Sequence, residues 1–183
     1  MSDCRFENTR DERYFEDYEP GCVYEFGSIA VDQAEIIEFA RRYDPQIFHT
    51  DPEAAKASVY GGLIASGWHT SSLMMRLFAD HFLPSTASLG SPGVDELRWL
   101  KPVRPGDQLA VRITVLDAKR SRSKPDRGII SSFIEVLNGD KETVMTMKAL
   151  NFLLCRAPAS SGSTKSTKEH EGARSNSPSS DLP

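Results

Sequence analysis

At 183 residues the chain suits one domain with a single core, and a domain of that size buries well over half of its unfolded surface. A formal net charge of -4 and a pI near 5.6 exclude a general nucleic-acid binder, because neutralising phosphates takes a concentrated basic surface. The N-terminus is charged where a signal peptide is apolar, and no stretch reaches the roughly eighteen apolar residues of a membrane helix, so the expectation is a cytoplasmic protein without a membrane partner.

Residues 1–12 are polar and read as a flexible lead to a domain spanning 13–156. The three cysteines, Cys4, Cys22 and Cys155, are odd in number and lack CxxC or Cys/His spacing, so they read as reduced thiols and no metal site is expected. A first strand is expected over Val23–Val31, bounded by Pro20-Gly21. Asp32 with Glu35 has the spacing of a capping-box variant, and apolar residues recur at helical intervals to Tyr43, predicting a helix over Gln33–Arg42. Pro45 ends it and leaves Asp44 in a turn. Asp51-Pro52-Glu53 repeats the start signal and predicts a short helix over Pro52–Ala57, with Asp51 as its cap.

After Gly61-Gly62, apolar residues from Leu63 to Phe82 are spread round most of a helical wheel, the pattern of a buried helix. The period then changes. Gly93–Leu100, Gln108–Leu116, Ile129–Leu137 and Thr143–Leu154 read as strands, and their short links predict an antiparallel meander. From residue 157 onward the chain is rich in Ser, Pro and charge and is read as a disordered tail over 157–183. One helix covering such a sheet makes an α+β fold.

The stretch Phe39–Thr70 carries more polar chemistry than a core requires. On pattern alone, Asp44 and His49 read as a turn Asp and a surface His rather than as a catalytic pair. His69, inside an apolar helical pattern, reads as a hydrogen-bonded core or pocket histidine. Ser66 and Thr70 either line a pocket or bond back to helix carbonyls.

Two segments carry a resemblance: Asp44-Pro45-Gln46-Ile47-Phe48-His49-Thr50-Asp51-Pro52, and Gly61-Gly62-Leu63-Ile64-Ala65-Ser66-Gly67. Together with the flanks Arg13–Asp17 and Leu100–Asp107, they are similar to the MaoC-like dehydratases, which include the (R)-specific enoyl-CoA hydratases. The resemblance implies a hot-dog fold, an antiparallel sheet wrapped around one long buried helix. It implies a water held between Asp44 and His49, and an oxyanion-binding amide at the start of the buried helix, assigned to Gly62; beside the resemblance, Ser66 is a candidate substrate-binding residue. One departure is that Gln46-Ile47 stands where the family has Asn-Pro.

The implied reaction is hydration of an α,β-unsaturated acyl-CoA to an (R)-3-hydroxyacyl-CoA, or its reverse. It needs a base, a proton donor and stabilisation of the developing enolate oxygen. Asp44 and His49 supply the first two in an order left open, and a glycine amide at a helix N-terminus suits the third. No cofactor is implied, since coenzyme A enters with the substrate. Arg122 and Lys124 in the basic loop before Gly128 are candidate contacts for its phosphates, or equally a solvated hairpin end. A thioesterase and a non-catalytic acyl-thioester binder are the alternatives; against the former, no Asp or Glu lies between Leu63 and Phe78. A sheet covered by one helix also predicts a homodimer or a multiple of dimers.

Overall fold

In a computed structural model of the chain, which describes residues 2–156, the period-two segments form one six-stranded sheet. Its strands are β1 (Ser2–Asp3), β2 (Cys22–Ala30), β3 (Val94–Trp99), β4 (Gln108–Arg120), β5 (Arg127–Leu137) and β6 (Thr143–Leu154). Alternate residues of the long strands, among them Val111, Ile113 and Val115 on β4 and Ile130 and Ile134 on β5, are buried on one face. That alternation is the pleat made visible in sequence. The tail expected over 157–183 lies outside the described residues.

β4, β5 and β6 pair consecutively and antiparallel. β3 departs from the expected four-strand meander. It pairs with β6 at the far edge while β4 takes β2, giving the order β1-β2-β4-β5-β6-β3. The β3–β4 link contains Pro102 and Pro105, which cannot donate to a ladder, and it runs instead across the end of the sheet. There Val103 O accepts from Ala65 N–H at 2.8 Å, and Val31 bonds Asp107 O and Gly106 N–H at 2.9 Å each.

The helices follow their caps. Helix α1 covers Gln33–Tyr43, with Asp32 accepting from Glu35 N–H at 3.0 Å. A single turn, α2 (Ile47–Thr50), follows Pro45. Helix α3 (Pro52–Ala55) is capped by Asp51, which accepts from Glu53 and Ala54 N–H at 2.9 and 3.0 Å. The central helix α4 covers Gly67–Leu77 and continues as a π-helical turn over Phe78–Phe82.

α4 begins later than the apolar pattern suggested. Leu63, Ile64 and Ala65 are buried but lie outside the helix, and Ile64 and Ala65 donate to Phe48 O and Val103 O; apolar residues alone do not distinguish that from helix. The inward face of the helix, Leu73, Met74, Leu77, Phe78 and Phe82, packs in the core. Leu77 approaches β2 at Gly27, where a Cβ would lie 2.5 Å from its side chain. The outer stripe is not covered within one chain: Trp68 is 58% exposed and Met75 43%.

The N-terminal lead is anchored, unlike the loose segment expected. β1 pairs in parallel with β2, and Cys4 and Cys22 form a disulfide with Cα atoms 5.5 Å apart. This overturns the reading of three reduced thiols; Cys155 is free. Sequence separation hid the pair, because tertiary pairing of β1 on β2 brings the two together. Phe6 stacks on Tyr24 at 4.2 Å between ring centroids. Arg10, Arg13 and Tyr18 donate to Asp80 O, His81 O and Phe82 O at 3.2, 2.6 and 2.6 Å, satisfying carbonyls at the end of the central helix that have no helical partner. The sheet with its central helix is the expected hot-dog fold. Among the described residues no helix is long and apolar enough to cross a membrane.

Candidate active site

Pro45 cannot continue α1, so Asp44 leaves the helix at φ -151° and ψ 68° and turns its carboxylate toward α2. There His49 is buried, and its Nε2 lies 3.4 Å from Asp44 Oδ2. His49 Nδ1 is 2.8 Å from the carbonyl oxygen of Ile64. A carbonyl only accepts, so Nδ1 carries the proton and, in the neutral ring, Nε2 presents a lone pair. Two acceptors then face each other, an arrangement completed by a shared donor such as water or by protonation of the ring.

The carboxylate is held from both sides. Gln46 Nε2–H donates to Oδ1 at 2.8 Å and Ser66 Oγ–H to Oδ2 at 2.7 Å. Burial pushes the Asp44 carboxyl up, but the bonds from Ser66 and Gln46 and the neighbouring imidazole outweigh it, leaving it below its ordinary value. Gln46, where the family pattern has Asn, thus still serves the carboxylate.

Asp44, Gln46, His49, Ser66 and Gly67 line one cavity of about 600 Å³, together with Tyr43, Phe48, Tyr60, Trp68, Thr70, Trp99, Lys101, Val103 and Val144. Thr70 does both things expected of it, lining the cavity while its hydroxyl donates to Ser66 O at 3.3 Å.

Two assignments move. Gly62 is not at the start of the buried helix: it has φ +157°, is separated from Gly67 by the non-helical Leu63–Ala65 and the cap Ser66, and is not among the cavity-lining residues. Ser66 is the N-cap and Gly67 the first helical residue. The Gly67 N–H, the first of the helix, has no acceptor among the described residues, and a free amide at a helix N-terminus is suited to receive an anionic oxygen. Gly67 must also be glycine for space, since a Cβ there would lie 2.4 Å from the Trp99 ring. The signal was legible as a serine before a glycine and a helical pattern, the grammar of an N-cap.

Arg122 and Lys124 lie in the β4–β5 loop beside the end of β6. Val144 at the cavity is about 30 Å away along that strand at the usual rise. In this chain they are not cavity residues; the nearby cations are Lys101, paired with Glu142 at 2.5 Å, and Arg104, which donates to Tyr60 O at 2.6 Å. His69 is buried as expected, but neither ring nitrogen has a hydrogen-bond partner among the described residues. It stacks on Phe39 at 4.9 Å between ring centroids, with Nε2 3.6 Å from Glu35 Oε1.

The chain matches the family model described as MaoC like domain over residues 17–132. It is 29% identical over 136 residues to the uncharacterised protein YdeM of Bacillus subtilis, covering 74% of this chain and 94% of that protein. Among solved structures it resembles the MaoC-like dehydratase from Rhodospirillum rubrum at 40% identity and a TM-score of 0.73, over 79% of this chain and 98% of that one. The R-hydratase PhaJ1 from Pseudomonas aeruginosa shares the fold at a TM-score of 0.61 and 22% identity, over 77% of this chain and 84% of that one. With the match running from just before β2 through Asp44 and His49 into β5, the chain belongs to the MaoC-like domain family.

Proposed function

We propose that the protein is a hydro-lyase that adds water to an α,β-unsaturated acyl-CoA, or removes it from the (R)-3-hydroxyacyl-CoA. The observation that carries this reading is the Asp44–His49 pair, 3.4 Å apart, in one cavity with the unpartnered first amide of α4. A water between the pair meets the β-carbon of a bound enoyl thioester, and the Gly67 amide receives the oxygen on which enolate charge develops. The positive end of the helix dipole supports that charge. The reaction asks for no cofactor, because coenzyme A arrives with the acyl group. The R. rubrum relative, named a MaoC-like dehydratase, supports the reaction class, and the R-hydratase with the same fold suggests the product configuration.

The test is crotonyl-CoA with the wild type, Asp44→Asn and His49→Ala. Loss of the double bond in the wild type and a fall of about 100-fold or more in each variant is expected for removal of a general acid or base. Undiminished turnover in either variant removes that residue from the mechanism. Release of free thiol would instead mark a thioesterase, which the lack of any Asp or Glu over Gly67–Leu77 disfavours. An unchanged substrate that still binds would mark a non-catalytic acyl-thioester binder.

The exposed Trp68, Met75, Trp99 and Leu100, together with the open edge of β3, support a homodimer. Light scattering that returns only a monomer at micromolar concentration would remove that part of the proposal.

A further inference from the structure

Ser66 joins the central helix to the catalytic carboxylate. Its Oγ accepts Trp68 N–H at 3.2 Å as the cap of α4, and its hydroxyl proton goes to Asp44 Oδ2 at 2.7 Å. A hydroxyl has one proton. With Ser66 only 1% exposed, bulk water does not compete for it. Gln46 Nε2–H occupies Oδ1 at 2.8 Å, so each carboxylate oxygen already receives one donor. Across the gap, His49 has given its Nδ1–H to Ile64 O and keeps Nε2 for the cavity.

We infer that Ser66 is a positioning residue that divides the labour of the pair: it holds Asp44 as the acceptor that orients water, and leaves proton transfer to His49 Nε2. This rests on the hydration reading. Nε2 removes one proton from water as the oxygen bonds to C3. The C2–C3 π pair shifts toward the thioester and its oxygen becomes an enolate at the Gly67 amide. The imidazolium then returns the proton to C2, the carbonyl re-forms, and one water has been added with the enzyme unchanged. Protonating Asp44 Oδ2 instead would take its remaining lone pair, leaving that oxygen a weaker acceptor for the Ser66 hydroxyl and without a site for water. The other titratable groups round the cavity are Tyr43, Tyr60 and Lys101, and Lys101 is occupied by Glu142.

The experiment compares wild type, Ser66→Ala and Ser66→Thr for three readouts: thermal unfolding, the titration of the Asp44 carboxyl by carbon-13 NMR, and kcat and KM for crotonyl-CoA against pH. In Ser66→Ala the carboxyl should titrate higher than in the wild type and kcat should fall roughly 10- to 100-fold, the scale of a misplaced group, with KM little changed. Ser66→Thr, which keeps the hydroxyl, should restore both. If Ser66→Ala does not fold, Ser66→Cys carries the same expectation. An unmoved Asp44 titration in the folded variant, or no rescue by Thr, overturns the positioning role. Should the wild type leave crotonyl-CoA unchanged, the hydration reading falls and the Asp44 titration alone upholds or overturns the role of Ser66.

Discussion

Gly67 carries two demands at one position. Its amide is the first of the helix, and its Cα lies beneath the Trp99 indole, which donates from Nε1 to Ser71 Oγ at 3.3 Å. Gly67→Ala places a methyl 2.4 Å from that ring, so the indole or the helix start must move. The expected cost is about 1–3 kcal/mol for overpacking, with loss of hydration activity. Trp99→Leu in the same chain should recover part of the stability. A denaturant series on the single and double variants checks this, and additive effects would show that the two residues do not meet in this way. At Asp44, by contrast, burial raises the carboxyl but the donors from Ser66 and Gln46 and the His49 imidazole leave it below its ordinary value.

Between elements, α1 and α4 meet at a buried histidine. Burial lowers the His69 pKa and the Glu35 carboxylate only partly opposes this. A histidine whose folded value lies below its unfolded one, about 6.5, leaves stability intact above that pH. Stability is lost as pH falls from there through the folded value, by at most about 1.4 kcal/mol per pH unit for one proton. Thermal unfolding measured at pH 7 and pH 5.5 should therefore show a drop that His69→Leu reduces; an equal drop in the variant would place the sensitivity elsewhere. The pairing also explains an incomplete capping box at the start of α1. Asp32 caps as expected, while the Glu35 side chain that a box would turn back reaches His69 instead.

In the whole molecule, the central helix is held at both ends by distant parts of the chain. Its start is tied to Asp44 through Ser66. Its end is capped by Arg10, Arg13 and Tyr18, from a lead clipped to β2 by Cys4–Cys22 at a separation of 18 residues. Closing a loop of that length removes unfolded-state entropy equivalent to about 3 kcal/mol. Cys4→Ser, or reduction of the wild type by a dithiol, should lower the denaturation midpoint accordingly. If the midpoint is the same with and without reductant, the clip does not contribute.

The sequence by itself determined what local chemistry dictates. Period-two alternation marked the long strands, Asp32 and Asp51 marked helix starts, Pro45 stopped α1, and the motif brought Asp44 and His49 forward together. What it left undecided depends on partners distant along the chain. Leu63–Ala65 are apolar enough for helix or strand, and hydrogen bonds to Phe48 and Val103 keep them out of the helix, which therefore starts at Gly67 rather than just after Gly62. β3 found β6 rather than β4 because its proline-bearing link does not form a hairpin. Cys4 and Cys22 met because β1 lies on β2, and Arg122 and Lys124 do not line the cavity of their own chain because strand length sets their hairpin at the other end of the sheet. Local preference chooses elements, but register, edge pairing and the close approach of Trp99 to Gly67 exist only once the sheet has closed on its helix.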